Sequence, residues 1–139
     1  MTKASVDAWL RSYVAAWESY DPDSVAALFS EDASYRYHPF DELIQGRLAI
    51  VASWVDDRDP AGTYDASYRT VAIDGDLAVA TGRSRYYTDT TKSTLESEYE
   101  NLFLIRFDAA GRCRSFQEWY MPRRTQKEAG GNEPRKLNP

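Results

Sequence analysis

Apolar residues recur at intervals of three and four near the start of the chain: Val6, Trp9, Leu10, Tyr13, Val14 and Trp17. This spacing puts them on one face of an amphipathic helix, with Thr2 or Ser5 as its N-cap. The stretch "YDPDS" ends that helix and opens another, because Asp21 suits the cap and Pro22 suits the first helical position. The second helix is predicted to run through "DSVAALFSEDA" and to present Val25, Leu28 and Phe29. A short strand follows and ends near His38. Gly46 precedes a third helix carrying Ile50, Val51, Trp54 and Val55, which stops at "DDRDPAG". From Tyr64 the period changes to two. Four strands are predicted, "YDASYRTVAI", "LAVATGRSRYY", "LESEYENLFLIRF" and "CRSFQEWYM", and Asp74-Gly75 marks a hairpin between the first two.

Helix, helix, short strand, helix and four long strands make an α+β fold. About three N-terminal helices are expected to pack on one side of a strongly curved, mainly antiparallel sheet. Sheet and helices would enclose a cone, and its interior is the natural ligand site. One domain is expected over 1–122. The polar stretch 123–139, rich in Pro and Gly, reads as a loose tail.

Composition changes this picture at three points. Aromatic residues make up 14%, with ten Tyr and four Trp, and side chains with an apolar body and a polar tip suit a cavity wall or an interface. A net charge of −5 argues against nucleic acid, whose phosphates require a basic face. The single cysteine, Cys113, excludes an internal disulfide and a cysteine-rich zinc site, and its place in a strand suggests a buried, inert thiol. The N-terminus does not read as a signal peptide, and no apolar run is long enough for a membrane span. A cytoplasmic protein with no metal and no cofactor is expected.

Candidate chemistry centres on "YRYHPFDE", which holds His38, the only histidine. Histidine titrates near neutral pH and can carry a proton. A residue before proline is also biased toward extended backbone, so His38 is read equally as serving a bend. Asp41 and Glu42 read as a solvated turn.

The stretches "W…DPDSVAALFSEDASY", "GRLAIVASW" and "FLIRFDAAGRCRSFQEWY" together resemble the nuclear transport factor 2-like superfamily, and within it the SnoaL-like and ketosteroid-isomerase-like proteins. The resemblance spans about residues 5–121. It implies the cone fold and a small-molecule pocket, in a superfamily of isomerases, cyclases, dehydratases, hydrolases and pure binding modules. In ketosteroid isomerases a first-helix tyrosine and a strand aspartate stabilise an oxyanion, while a base just before a proline moves the proton. Tyr13 matches the tyrosine and His38 the base. Phe103 occupies the place of the strand acid, which argues against steroid isomerisation itself.

Strand alternation separates each strand into two faces without saying which is inside. The resemblance implies that the faces bearing Asn101, Glu118 and Arg83 line the cone. His38, Tyr13 and Glu118 are then the candidate catalytic residues. Trp17, Trp54, Arg83, Asn101, Phe103, Phe116 and Tyr120 are the candidate ligand-binding residues. Arg83 would anchor an acidic group or pair with Glu118. A structural ion pair and a packed aromatic stripe are the competing readings. Three functions remain open: acid–base catalysis on a small apolar or partly polar organic molecule, ligand binding without chemistry, or a structural homodimer. In the third, the small-residue face Ala78, Ala80, Gly82 and Ser84 would permit close packing of sheets.

Overall fold

The computed structural model of the protein describes residues 1–124. The tail expected over 123–139 lies outside the described residues from position 125 onward.

Helix α1 (Lys3–Ser19) opens on a reciprocal capping box. Thr2 Oγ1 accepts from the Ser5 N–H at 3.1 Å, and Ser5 Oγ accepts from the Thr2 N–H at 2.9 Å. It stops where Tyr20 turns left-handed, with φ 50°, and donates its N–H to the Ala16 carbonyl at 2.8 Å. Val6, Trp9, Leu10, Tyr13 and Ala16 are its buried stripe, as the three-and-four spacing requires. Helix α2 (Pro22–Ala26) is capped by Asp21 and is shorter than the periodicity predicts. The chain leaves it at Leu28, whose carbonyl accepts from the Cys113 N–H at 2.9 Å, and strand β1 (Phe29–Arg36) begins there. Phe29 is therefore a strand residue. Its pairing with the last strand is a contact of long sequence separation that helical periodicity cannot register.

Strand β2 (Ile44–Gln45), helix α3 (Arg47–Asp56) and strands β3 (Tyr64–Asp74), β4 (Leu77–Tyr87), β5 (Leu95–Phe107) and β6 (Cys113–Pro122) complete the described fold. The six strands form one sheet in the order β2-β1-β6-β5-β4-β3. Every neighbouring pair is antiparallel except β1 with β6. Register shifts leave extra residues in β1, β3, β5 and β6, and such bulges bend a sheet into a curve. The fold is the expected α+β arrangement of helices on a curved, mainly antiparallel sheet.

The β4–β5 register corrects one predicted face. Ala80 stands opposite Phe103, Gly82 opposite Asn101 and Ser84 opposite Tyr99. Cross-strand partners share a face, so the inward side of β5 carries the small side of β4 in with it. Ala78, Ala80 and Ser84 are buried in the interior and do not offer an outer packing face. Arg83 points the other way. It is exposed and pairs with Glu100 at 2.8 Å on the outer surface, so it neither reaches the cone nor meets Glu118.

Phe103 and Phe116 also move from their expected place. Both are fully buried in the core with Val6, Leu10, Phe29 and Ile105, and fully burying a side chain of this size contributes about 2 kcal/mol. They support the cavity from beneath: Phe116 stacks on Tyr35 at 4.5 Å between ring centroids and on Tyr13 at 5.4 Å.

Helix α1 is tied to β3 by Asp7, whose Oδ1 accepts from the Thr70 N–H at 2.8 Å and its hydroxyl at 2.7 Å. These bonds, joined by Lys3, hold the Asp7 carboxyl down at about 2. A lowered carboxyl pKa stabilises the folded state above the ordinary value and loses that effect as pH falls toward the folded one. Asp7→Ala is expected to lower the melting temperature at pH 7, by an amount that shrinks between about pH 4 and pH 2. A melting-temperature difference independent of pH across this interval would count against the tie.

No helix among the described residues is long and apolar enough to cross a membrane. Cys113 is fully buried and burial pushes its thiol up to about 12, which leaves it inert as expected.

Candidate functional site

Between α1, α3 and the inner face of the sheet lies an open cavity of about 730 Å³. Helix α1 supplies Tyr13 and Trp17 to its wall, one α-helical turn apart, and α3 supplies Ser53 and Trp54. The strands supply alternate residues: Tyr35 from β1, Tyr68 from β3, Ser84 and Tyr86 from β4, Tyr99 and Asn101 from β5, Glu118 and Tyr120 from β6. Of the residues expected to line the cone, Tyr13, Trp17, Trp54, Asn101, Glu118 and Tyr120 do so.

Glu118 is the ionisable group at the centre. Asn101 Nδ2 donates to its Oε2 at 2.7 Å, and Ser84 Oγ donates to Asn101 Oδ1 at 3.1 Å. This chain of bonds fixes the amide and holds the carboxyl in one orientation. Burial pushes the Glu118 carboxyl up to about 7, only partly opposed by the Asn101 bond. Among the described residues no cationic partner offsets the desolvation, so both protonation states are populated near neutral pH.

A group of phenols surrounds this carboxyl. The Tyr13 and Tyr35 hydroxyls lie 2.9 Å apart and share one hydrogen bond. Burial lifts the phenols of Tyr13, Tyr35 and Tyr68 well above their ordinary value, and the Glu118 charge raises each further. They stay protonated and able to donate. Tyr37 OH bonds Ser53 Oγ at 2.9 Å. Trp54 is buried in the wall, and its indole N–H has no hydrogen-bond partner among the described residues. A buried donor without an acceptor costs about 1–3 kcal/mol.

At the other end, Asp59 is fastened to the wall. Its Oδ2 accepts from Trp17 Nε1 at 3.0 Å and from the Tyr20 hydroxyl at 3.2 Å, and its own N–H donates back to Tyr20 at 2.9 Å.

His38 stands apart from this constellation. It lies in the turn after β1, half-buried and not on the cavity wall. Its Nδ1 accepts from the Phe40 N–H at 3.2 Å, while its carbonyl accepts from the Asp41 N–H at 3.0 Å. Its ring meets that of Tyr120 edge-on, 6.1 Å between centroids. Asp41 and Glu42 are exposed, as a solvated turn should be.

Sequence reasoning did not single out Tyr35, Tyr37, Tyr68 or Asp59. A signal for the first two was present: in "SYRYHP" the tyrosines fall at every second position, the period of a strand with one buried face. Asp59, in a loop between Pro60 and a charged run, carried no such signal.

A family model described as the SnoaL-like domain matches residues 10–116. Among solved structures, the crystal structure of a putative ketosteroid isomerase from Kribbella flavida DSM 17836 superposes with a TM-score of 0.62. It is 17% identical, over 99% of this chain and 96% of that one. No curated protein matches the chain in sequence.

Proposed function

Because the chain belongs to the SnoaL-like domain family, whose model matches residues 10–116, we propose that it performs acid–base chemistry on a small organic molecule held in this cavity, with Glu118 as the proton carrier. The observation that carries the reading is a carboxyl near pH-neutral balance, oriented by Asn101, inside a wall of hydrogen-bond donors. Ionised Glu118 would take a proton from a carbon beside a carbonyl, and neutral Glu118 would return it at another position or to a leaving oxygen. Tyr13 and Tyr35 spend one of their two hydroxyl protons on each other, which leaves the second for the oxygen where charge develops. Isomerase, cyclase and dehydratase chemistries use this pair of operations, and a hydrolase would have ionised Glu118 take the proton from the attacking water instead. Steroid isomerisation is not the reaction proposed, since Phe103 occupies the place of the strand acid and is sealed in the core. His38 serves the turn in this reading. A cytoplasmic setting accords with a lone, buried thiol.

A panel of enolisable ketones, lactones and epoxides tests it. Turnover should show a rate–pH limb near 7. Glu118→Gln should lower kcat by about 10²–10⁴-fold, and His38→Ala should leave both rate and limb in place. A limb lost in His38→Ala and kept in Glu118→Gln would move the chemistry to the histidine. Absence of turnover across the panel would favour the non-catalytic binding module.

The outer face of the sheet suggests a homodimer. Leu102, Trp119 and Met121 are exposed side by side, bordered by the oppositely charged Arg83 and Glu100, so the patch is apolar at its centre and charge-balanced at its rim. A two-fold contact through this face is self-complementary. Light scattering after size exclusion should give twice the chain mass, reduced to the chain mass by Trp119→Glu; a monomeric wild type would refute the contact.

A further inference from the structure

We propose that the molecule taken by this cavity is an organic cation, a protonated amine or quaternary ammonium on an aromatic or apolar body. The inference rests on the cavity being a small-molecule site and adds the charge of its occupant.

Four carboxylates from separate parts of the chain reach the wall: Asp57 and Asp59 after α3, Glu96 near the start of β5, and Glu118 in β6. Among the described residues, none of those lining the cavity is Lys, Arg or His. The nearby arginines are engaged elsewhere. Arg83 pairs with Glu100 and Arg85 with Glu98, at 2.8 Å and 2.7 Å. Arg58 donates to the Val55 carbonyl and sits 5.5 Å from the centroid of the Tyr20 ring. An anionic ligand would be desolvated among like charges with no countercharge, whereas a cation meets opposite charge at Asp57, Asp59 and Glu96 and favours the ionised form of Glu118.

The aromatic walls favour the same sign. Tyr86 and Tyr99 meet at 87°, and Tyr99 and Tyr120 at 89°, with centroids 5.7 Å and 5.6 Å apart. Trp17 tilts toward Tyr86 at 6.0 Å and is backed by Tyr64, stacked at 4.4 Å. Trp17, Tyr86, Tyr99 and Tyr120 all line the cavity, and an aromatic ring attracts a cation through the negative part of its quadrupole. Asp59 is fastened to Trp17 at the cavity wall, so a carboxylate and an aromatic ring stand side by side there. The net charge of −5 adds long-range attraction for a cation approaching from solution.

Calorimetric titration of the full chain with three probes of one shape decides it: benzyltrimethylammonium, its neutral carbon isostere neopentylbenzene, and phenylmethanesulfonate. The cation is expected to bind at least about tenfold tighter than the isostere, and the sulfonate not measurably. The double substitution Asp57→Asn, Glu96→Gln, on exposed side chains, should weaken the cation by about fivefold and leave the isostere unchanged. Tyr86→Phe should keep the cation preference and Tyr86→Leu should reduce it. Equal or tighter binding of the isostere, binding of the sulfonate, or no cation binding at millimolar concentration would each overturn the inference. The rate–pH limb of Glu118 is measured by turnover without these probes, so failure of the cation inference leaves the acid–base reading to its own test.

Discussion

Glu118→Gln is expected to be more stable than the wild type at pH 8, although it removes the proposed proton carrier. The folded protein holds this carboxyl at about 7 against an ordinary value of 4.5. Below about pH 4.5 the group is protonated in both states and burial costs little. As pH rises from there, the unfolded chain ionises freely while the folded chain keeps its proton, so stability falls until the folded group ionises near 7. Above that the full penalty applies, up to roughly 3 kcal/mol from the size of the shift. Glutamine carries no such penalty and its amide oxygen can still accept from Asn101. Urea midpoints at pH 5 and pH 8 should therefore converge in the variant and diverge in the wild type. An equal pH dependence in both proteins would show that Glu118 is not held neutral by burial. The lowered Asp7 carboxyl acts in the opposite direction and only below about pH 4, so the two windows separate cleanly. If turnover is lost while stability rises, Glu118 is a group that the fold tolerates for its chemistry.

Gly82→Ala is expected to be among the most damaging single-methyl substitutions in the chain. A Cβ at this position would lie 2.0 Å from the Ser67 carbonyl oxygen and 2.7 Å from Tyr68 Cα. Both are backbone atoms of β3, held in register with β4 on either side and anchored beyond by the Asp7–Thr70 bonds. Neither can retreat without breaking the ladder. The backbone of Gly82 is not in the left-handed region, so the requirement is one of space beside the paired β3 backbone. A cost of about 3 kcal/mol or more follows, with a drop in melting temperature of roughly 10 °C or more for a domain of this size. Because Tyr68 lines the cavity, ligand affinity should fall in any fraction that folds. A variant melting within a few degrees of the wild type would mean that β3 is freer than its contacts indicate.

The elements of this fold were legible where their causes are local. Thr2 and Ser5, Asp21 and Pro22, and Asp74-Gly75 announce caps and a turn through chemistry confined to neighbours along the chain. The Val6–Trp17 stripe announces a helix with one buried side. Alternation in β5 and β6 grouped Asn101 with Tyr99 and Glu118 with Tyr120, and those groups do line the cavity together. The same alternation in β4 grouped Arg83 correctly with its strand neighbours, and the family resemblance then placed that group on the wrong side. Period two divides a strand into faces but carries no sign; the sign comes from β5, with Phe103 opposite Ala80.

The site was less legible for a related reason. His38 drew attention by residue type, and its ring turned out to serve a turn bond to Phe40, away from the wall. Glu118 looked like an accessory to it, because a glutamate in a strand has no marked acidity until its surroundings are known. By itself the sequence determined the order and type of the elements, the aromatic stock from which a cavity wall could be built, and the acidic balance of the chain. Only the tertiary structure decided which faces enclose the cavity, that carboxylates and not an arginine share it, and that one of them is poised near neutrality. Caps, turns and periodicity act between residues close in the chain, whereas burial and electrostatics act between residues close in space.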